Sequence, residues 1–359
     1  NAIMAHSVLR PVVLTFLIIG CAGVAHGSPS FEAWAARHGR VYSSPESESA
    51  ARMAFETNAA LVASHNARKG TTFTVSLNKF ADMTHEAFVA RYLSPLSGHR
   101  LALADSVADS IDMRAAERMR ESVESTAPPP SWDWVRQGVT PPIKNQGNCG
   151  SCWAFSAVDT MEGIFNWKNN GTNVPSACQG TQCGPHNTSC CAFSEQQVAD
   201  CTQDGQDKCN IGGEPHDGVL YIVHQPHAAI NTEKQYPYTS GTTGHLSSCS
   251  PAPGAVPTGI SGYVNVTHGD ENALKSAAYA RPIISVGIDA SDPLFQFYSG
   301  GVFSSSSCGN KPSDLDHGVA VVGYGTGKNP PSPGPPGPKP GPTNCMNNHY
   351  KPQCTGEKG

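Results

Sequence analysis

After Ser151, apolar residues recur at Ala154, Ala157, Val158, Met161, Ile164 and Phe165, the spacing of one buried stripe on a helix. Residues Phe31–Leu93 also read as a helical region. Pro282–Ala290 reads as a strand, followed by the aromatic- and glycine-containing stretch Phe295–Phe303. Asp316-His317-Gly318-Val319-Ala320-Val321-Val322 predicts a second strand, ending in a Gly323-Tyr324-Gly325 turn. At the amino end, Arg10 precedes an apolar run, Val12–Ile19, and then small residues through Ala25 and Gly27. That order predicts a secretory signal peptide over 1–27, with Asn1–Ile3 upstream of an initiator Met4 and an apolar core too short to span a membrane. Between 94 and 126 no pattern stands out, which predicts an exposed linker. Lys328–Pro342 holds eight prolines and three glycines among fifteen residues without a Gly-X-Y period, so it reads as a polyproline-II linker before a short cysteine-containing tail, 343–359.

Composition narrows the class. Of 359 residues, removal of the leader and a helical amino-terminal region leaves roughly 230, enough for a sizeable core or two lobes. The formal net charge of −5, with no basic run, argues against a nucleic-acid partner. Thirteen cysteines, twelve of them behind the leader, imply an oxidising compartment, either lysosome-like or extracellular. Asn170-Gly171-Thr172, Asn187-Thr188-Ser189 and Asn265-Val266-Thr267 are N-glycan acceptor patterns. A monomer without metal or cofactor is expected.

The chemistry concentrates in Gln146-Gly147-Asn148-Cys149-Gly150-Ser151-Cys152-Trp153-Ala154-Phe155. Cys152 falls in the first turn of the predicted helix, where the dipole favours thiolate over thiol. Cys149-Gly150-Ser151-Cys152 is also a C-x-x-C, but the turn-like, polar lead-in Thr140–Asn145 does not suit a redox motif. A zinc site would need a second spaced ligand pair, and Cys190-Cys191 are adjacent. A nucleophile needs a base near it in space. Of fourteen histidines, His65, His85 and His216 lie in polar surroundings and read as solvated, whereas His317 opens the apolar strand.

These segments together resemble the papain-like cysteine proteases of the cathepsin L type. The resemblance implies an α+β, two-lobed papain-like fold, a helical lobe facing a β-barrel-like lobe across a cleft, preceded by a helical inhibitory propeptide. It implies Cys152 as nucleophile, His317 as general base and Gln146, with the Cys152 N–H, as the oxyanion hole. Gly212 and Gly213, in a Cys-Asn-Gly-Gly-like loop with Ile211 inserted, would let a substrate backbone approach. Gly287, Asp316 and Gly318 would shape a roomy, apolar-accepting pocket for the substrate's second residue. Phe193–Cys201 resembles the family's short helix ending in a half-cystine. Cys149–Cys209 and Cys201–Cys249 are the implied disulfides, Cys178, Cys183, Cys190 and Cys191 lie in or beside an insertion between Gly171 and Phe193, and Cys308 is left to choose between Cys345 and Cys354. Phe55, Asn58, Val62 and Asn66 fall at spacings resembling the propeptide signature, with Glu48 and Arg52 one turn apart but offset by one residue, and Leu77–Asp82 resembles its second motif.

On this reading the propeptide covers 28–93, the peptidase domain 127–327 begins near Trp132-Asp133-Trp134, and protein or peptide substrates compete with the chain's own propeptide. The family's Asn-Ser-Trp-Gly turn, whose asparagine orients the imidazole, does not occur in the sequence, so the domain reads as incomplete at its C-terminal end. Three explanations stay open: a truncated gene product, a divergent ending or an inactive descendant. The alternative function is a catalytically silent protein that binds peptides or inhibits related proteases; the intact Cys152 argues for the enzyme.

Overall fold

The computed structural model describes residues 29–94, 96, 127–169, 171, 173–202, 206–309 and 311–326. The predicted leader, most of the linker after 96, the proline-rich segment and the tail, with Cys21, Cys345 and Cys354, lie outside the described residues.

Local rules account for the amino-terminal elements. Helix α1, Phe31–Arg37, is capped by Ser30, whose Oγ accepts from Ala33 N–H. Helix α2, Pro45–Ala67, starts with Pro45 behind Ser44, which exchanges capping bonds with Ser47. The predicted helical region is then interrupted. Gly70 takes φ +83° and the β-branched Thr71-Thr72 lead into strand β1, Phe73–Val75, before helix α3, His85–Tyr92, capped by Thr84. Phe31, Trp34, Phe55, Val62, Phe73 and Val75 form one core, and Phe297 joins it from far along the chain. Asn58 Nδ2 donates to the Ala81 and Met83 carbonyls, and Asn66 exchanges two bonds with Val75, so these motif residues fasten α2 to the segment that follows it. His65 departs from its reading as solvated: it is 5% exposed, because it lies on the face of α2 turned to β1 and packs on Phe73.

In the main body, strand β2 (Trp132–Asp133) precedes helix α4 (Cys152–Asn169). The hairpin of β3 (Gln182–Cys183) and β4 (Thr188–Ser189) follows, then helix α5 (Glu195–Cys201), helix α6 (Lys208–Ile211) and helix α7 (Pro215–Val223). Next come β5 (Ala229–Ile230), helix α8 (Ser240–Thr243), β6 (Val256–Pro257), helix α9 (Glu271–Ala280), β7 (Ile284–Ile288), β8 (Tyr298–Gly301), β9 (His317–Val321) and β10 (Gly323–Tyr324). Helix α4 runs through the centre. Its stripe meets Phe193, Val198, Val219 and Ile222 in the helical core, while Ser156 Oγ donates to Val319 O at 2.8 Å on the other side.

The strands pair antiparallel: β7 with β9 (Ile288 opposite His317, Gly287 opposite Gly318), β10 with β2, and β1 of the amino-terminal segment with β8 of the body. The insertion is closed locally by Cys178–Cys191 and Cys183–Cys190. Cys149–Cys209 and Cys201–Cys249 staple the helical side, and Cys308 is exposed and unbonded among the described residues.

Candidate active site

Cys152 is the first residue of α4 and is 1% exposed. Its Sγ accepts a hydrogen bond from Gly318 N–H at 3.4 Å, across 166 positions of sequence. His317 opens β9 and is the residue before that donor. Packing of α4 on β9 therefore brings Cys152 against the start of the strand that carries His317, from positions far apart in the chain. Gly318 makes the approach close: a Cβ there would stand 3.3 Å from Trp153 Cα and 3.4 Å from the Cys152 carbonyl. Gln146 sits on a turn before the helix, where Gly147 takes φ +60°, and its Nε2 donates to Cys149 O at 3.0 Å. The amide's second hydrogen is left for another acceptor.

Electrostatics depart from the thiolate expected at a helix start. Burial pushes the Cys152 thiol up, against the opposing effect of the Gly318 and Trp153 N–H groups. Burial also pushes His317 down to about 4, and its Nδ1 has no hydrogen-bond partner. Both groups are therefore neutral in this closed state. The dipole of α4 acts on Cys152, but desolvation outweighs it.

What closes the site is the amino-terminal segment. Ser94 N–H donates to Asp316 O at 2.8 Å and Leu96 N–H to Leu315 O at 2.9 Å. Ser94 and Leu96 are 4% and 7% exposed, so the expected exposed linker begins instead as a buried crossing. These two contacts are main-chain hydrogen bonds, which leave no periodic signal in the side chains. A Cβ on Gly212 would stand 2.6 Å from Ser94 Cβ, and one on Gly287 would stand 2.8 Å from Leu96 Cδ1. Gly213 lies against the Trp153 ring instead, where a Cβ would come within 2.7 Å. Asp316 serves through its backbone at Ser94, while its carboxylate accepts from Ala290 N–H. A cavity of about 220 Å³ remains between Phe88, Tyr92 and Leu93 on one side and Gln146, Phe295 and His317 on the other.

The segment is held elsewhere too. Asn78 Nδ2 donates to Gln296 O at 2.6 Å, Gln296 Nε2 returns to Phe80 O, and Lys79 Nζ reaches Asn145 Oδ1. Acid should loosen the closed state. An unfolded histidine takes up a proton near pH 6.5, whereas buried His317 stays neutral to about 4. Between those values the unfolded chain binds more protons, so this contribution is present above pH 6.5 and is lost as pH falls to 4. The expected loss is up to about 3 kcal/mol. Melting temperatures of the intact chain at pH 7 and pH 4.5 check it; His317→Ala should flatten the dependence.

Sequence reasoning missed Ser94 and Leu96, and it missed a buried ion cluster behind Gln146. There Lys144 Nζ meets Glu162 Oε1 at 2.6 Å and the Glu195 carboxylate, both glutamates being fully buried.

Comparison with known proteins accords with this geometry. The profile of the papain family cysteine proteases matches residues 128–333, and that of the cathepsin propeptide inhibitor domain matches 31–88. Cysteine proteinase 6 of Dictyostelium discoideum is 34% identical over 299 residues, 83% of this chain and 59% of the relative, so the chain spans little more than half of that protein's length. Vignain of Ricinus communis is 36% identical over 82% of this chain and 72% of its own, and a cathepsin L-like peptidase of Aedes aegypti 33% over 82% and 79%. Among solved structures, procathepsin L2 proteinase of Tenebrio molitor larval midgut superposes with TM-score 0.64 at 29% identity, over 82% of this chain and 84% of that one. The proform of the ragweed pollen protease Amb a 11 gives 0.63 at 29% identity, over 83% and 79%. The α+β body and its amino-terminal segment thus superpose on solved proforms, and the chain belongs to the papain family of cysteine proteases and carries a cathepsin-type propeptide inhibitor domain.

Proposed function

We propose that the chain is the zymogen of an endopeptidase acting through Cys152 and His317. The observation that supports this most is the packing of α4 on β9, with Gly318 N–H 3.4 Å from Cys152 Sγ and His317 beside it. Once the propeptide leaves, water reaches the cleft and the thiol proton can pass to the imidazole, since charge is no longer penalised by burial. Sγ then attacks the scissile carbonyl carbon: the S–C bond forms and an electron pair moves to oxygen. Cys152 N–H and the spare Gln146 hydrogen receive that oxyanion. The C–N bond breaks as His317 protonates the departing amine, leaving a thioester. Water, deprotonated by His317, attacks it, and the S–C bond breaks to restore the thiol.

Gly212 and Gly213 would admit the substrate backbone, and Gly287, Asp316 and Gly318 the second residue before the cleaved bond. Leu96 against Gly287 supports an apolar residue there. The propeptide holds the same cleft and acts as the chain's own inhibitor. Four disulfides among the described residues support passage through the secretory pathway to a lysosome-like compartment or the outside of the cell. No described helix is long and apolar enough to cross a membrane.

A thiol-reactive epoxide is expected to label the processed protein once, at Cys152, and His317→Ala should abolish the labelling. Folded, processed protein that does not label would sink the enzyme reading.

A further inference from the structure

We propose that Tyr238 is a positioning residue for the oxyanion-binding turn, its hydroxyl tying Gln146 to the residue in front of Cys152; this rests on the protease reading of the same site. The Tyr238 hydroxyl donates to the Gln146 carbonyl at 2.8 Å. Its one proton is then committed, so the Ser151 hydroxyl, 2.6 Å away, donates to the phenol oxygen. The other acceptor open to Ser151, Cys149 O, lies at 3.5 Å. One oxygen thereby bridges the two chain positions that carry the oxyanion donors, the Gln146 amide and the N–H next to Ser151.

The bridge has a firm footing. Tyr238 N–H donates to Glu233 Oε1 at 2.9 Å, and its ring meets Phe155 edge-on at 4.9 Å. Thr239 and Ser240 N–H both donate to Gln196 Oε1, and Gln196 is 1% exposed. Gly241 O accepts from Asn148 N–H at 2.8 Å, so the 238–241 stretch holds the 146–151 turn at two points. Burial, together with Glu195, Glu233 and Asp200, keeps the phenol protonated throughout the working pH range, so the hydroxyl remains a donor.

Gln146 otherwise stands on a turn containing a glycine at positive φ, with one hydrogen bond from its own amide. An oxyanion donor is effective only when held about 2.7–3.1 Å from the point where charge appears. A tether on its backbone therefore serves the transition state and not the resting substrate.

The test uses the full chain freed of its propeptide by acid treatment. Tyr238→Phe keeps the ring on Phe155 and removes only the hydroxyl. The expected result is a fall in kcat on the order of tenfold with KM unchanged. Affinity for a peptide aldehyde, whose adduct with Cys152 carries the tetrahedral oxygen, should fall by the same factor. Alkylation of Cys152 by iodoacetamide, which needs no oxyanion, should keep its rate, and the melting temperature should stay within about 2 °C. Tyr238→Phe added to Gln146→Ala should lower kcat no further. Unchanged kcat and aldehyde affinity in Tyr238→Phe overturns the inference alone, as does an equal loss in kcat, alkylation rate and melting temperature, which marks a merely structural role. A wild-type chain that neither hydrolyses peptide nor binds the aldehyde overturns the protease reading and this inference with it.

Discussion

Cys152→Ala is expected to abolish peptide hydrolysis, with a loss approaching a million-fold in kcat, while the chain folds and keeps its propeptide. The size follows from the chemistry. Without Sγ there is no acyl-enzyme, and the remaining groups can only position water weakly. Folding should survive because the substitution removes one sulfur atom whose long-range polar contact is a single backbone bond of 3.4 Å. If maturation is self-cleavage, the variant should accumulate as intact chain at acidic pH, where the wild type loses its amino-terminal segment. Intact mass and hydrolysis of a fluorogenic peptide check both halves. Residual hydrolysis within a hundredfold of wild type would require another nucleophile.

Lys144→Ala should cost about 3–5 kcal/mol of stability, roughly a 10 °C fall in melting temperature. Lys144 Nζ is the cation facing Glu162 and Glu195, both with no side-chain exposure, and it also donates to Phe193 O at 3.0 Å. Asp159 and Glu233 lie close enough to be felt by the same cluster. One cation cannot compensate so many carboxylates. Burial and mutual repulsion push Glu162 up to about 8 and Asp159 and Glu233 to about 7, while Lys144 is held protonated by the glutamates.

The pH dependence follows from those directions. An unfolded glutamate gives up its proton near 4.5, whereas Glu162 keeps its proton to about 8, so the folded chain binds more protons in that window and stability falls as pH rises through it. Removing Lys144 should widen the gap, making the deficit larger at pH 8 than at pH 5. Urea midpoints at the two pH values measure it. A variant as stable as wild type at pH 8 would mean that water already reaches the cluster.

The site was legible where chemistry is local. Cys152, Gln146 and the stripe from Ala154 to Phe165 can be read because a helix start and a 3.6-residue period leave their mark on neighbouring residues. His317 stands out only beside Cys152, since a histidine at a strand start is ordinary. Phe55, Asn58 and Asn66 were visible as a spaced set, although what the asparagines bond to was not. Ser94 and Leu96 escaped because they act through the main chain, and Tyr238 because its partner is a carbonyl 92 positions away. Glu162 offered a signal that can now be named: a charge set among Val158, Met161 and Phe165 on the buried face of a helix must have a partner. The strand break at Phe73–Val75 was hidden by long-range pairing with β8, which no local pattern specifies.

The order of parts along the chain has a consequence in time. At a synthesis rate of 5–20 residues per second, the 166 positions between Cys152 and Gly318 separate the appearance of the thiol from that of its strand by roughly 8–33 s. The inhibitor domain at 31–88 is already made before the thiol appears. On the protease reading proposed above, translation therefore delivers the inhibitor segment first, the nucleophilic thiol second and the strand that carries its base last.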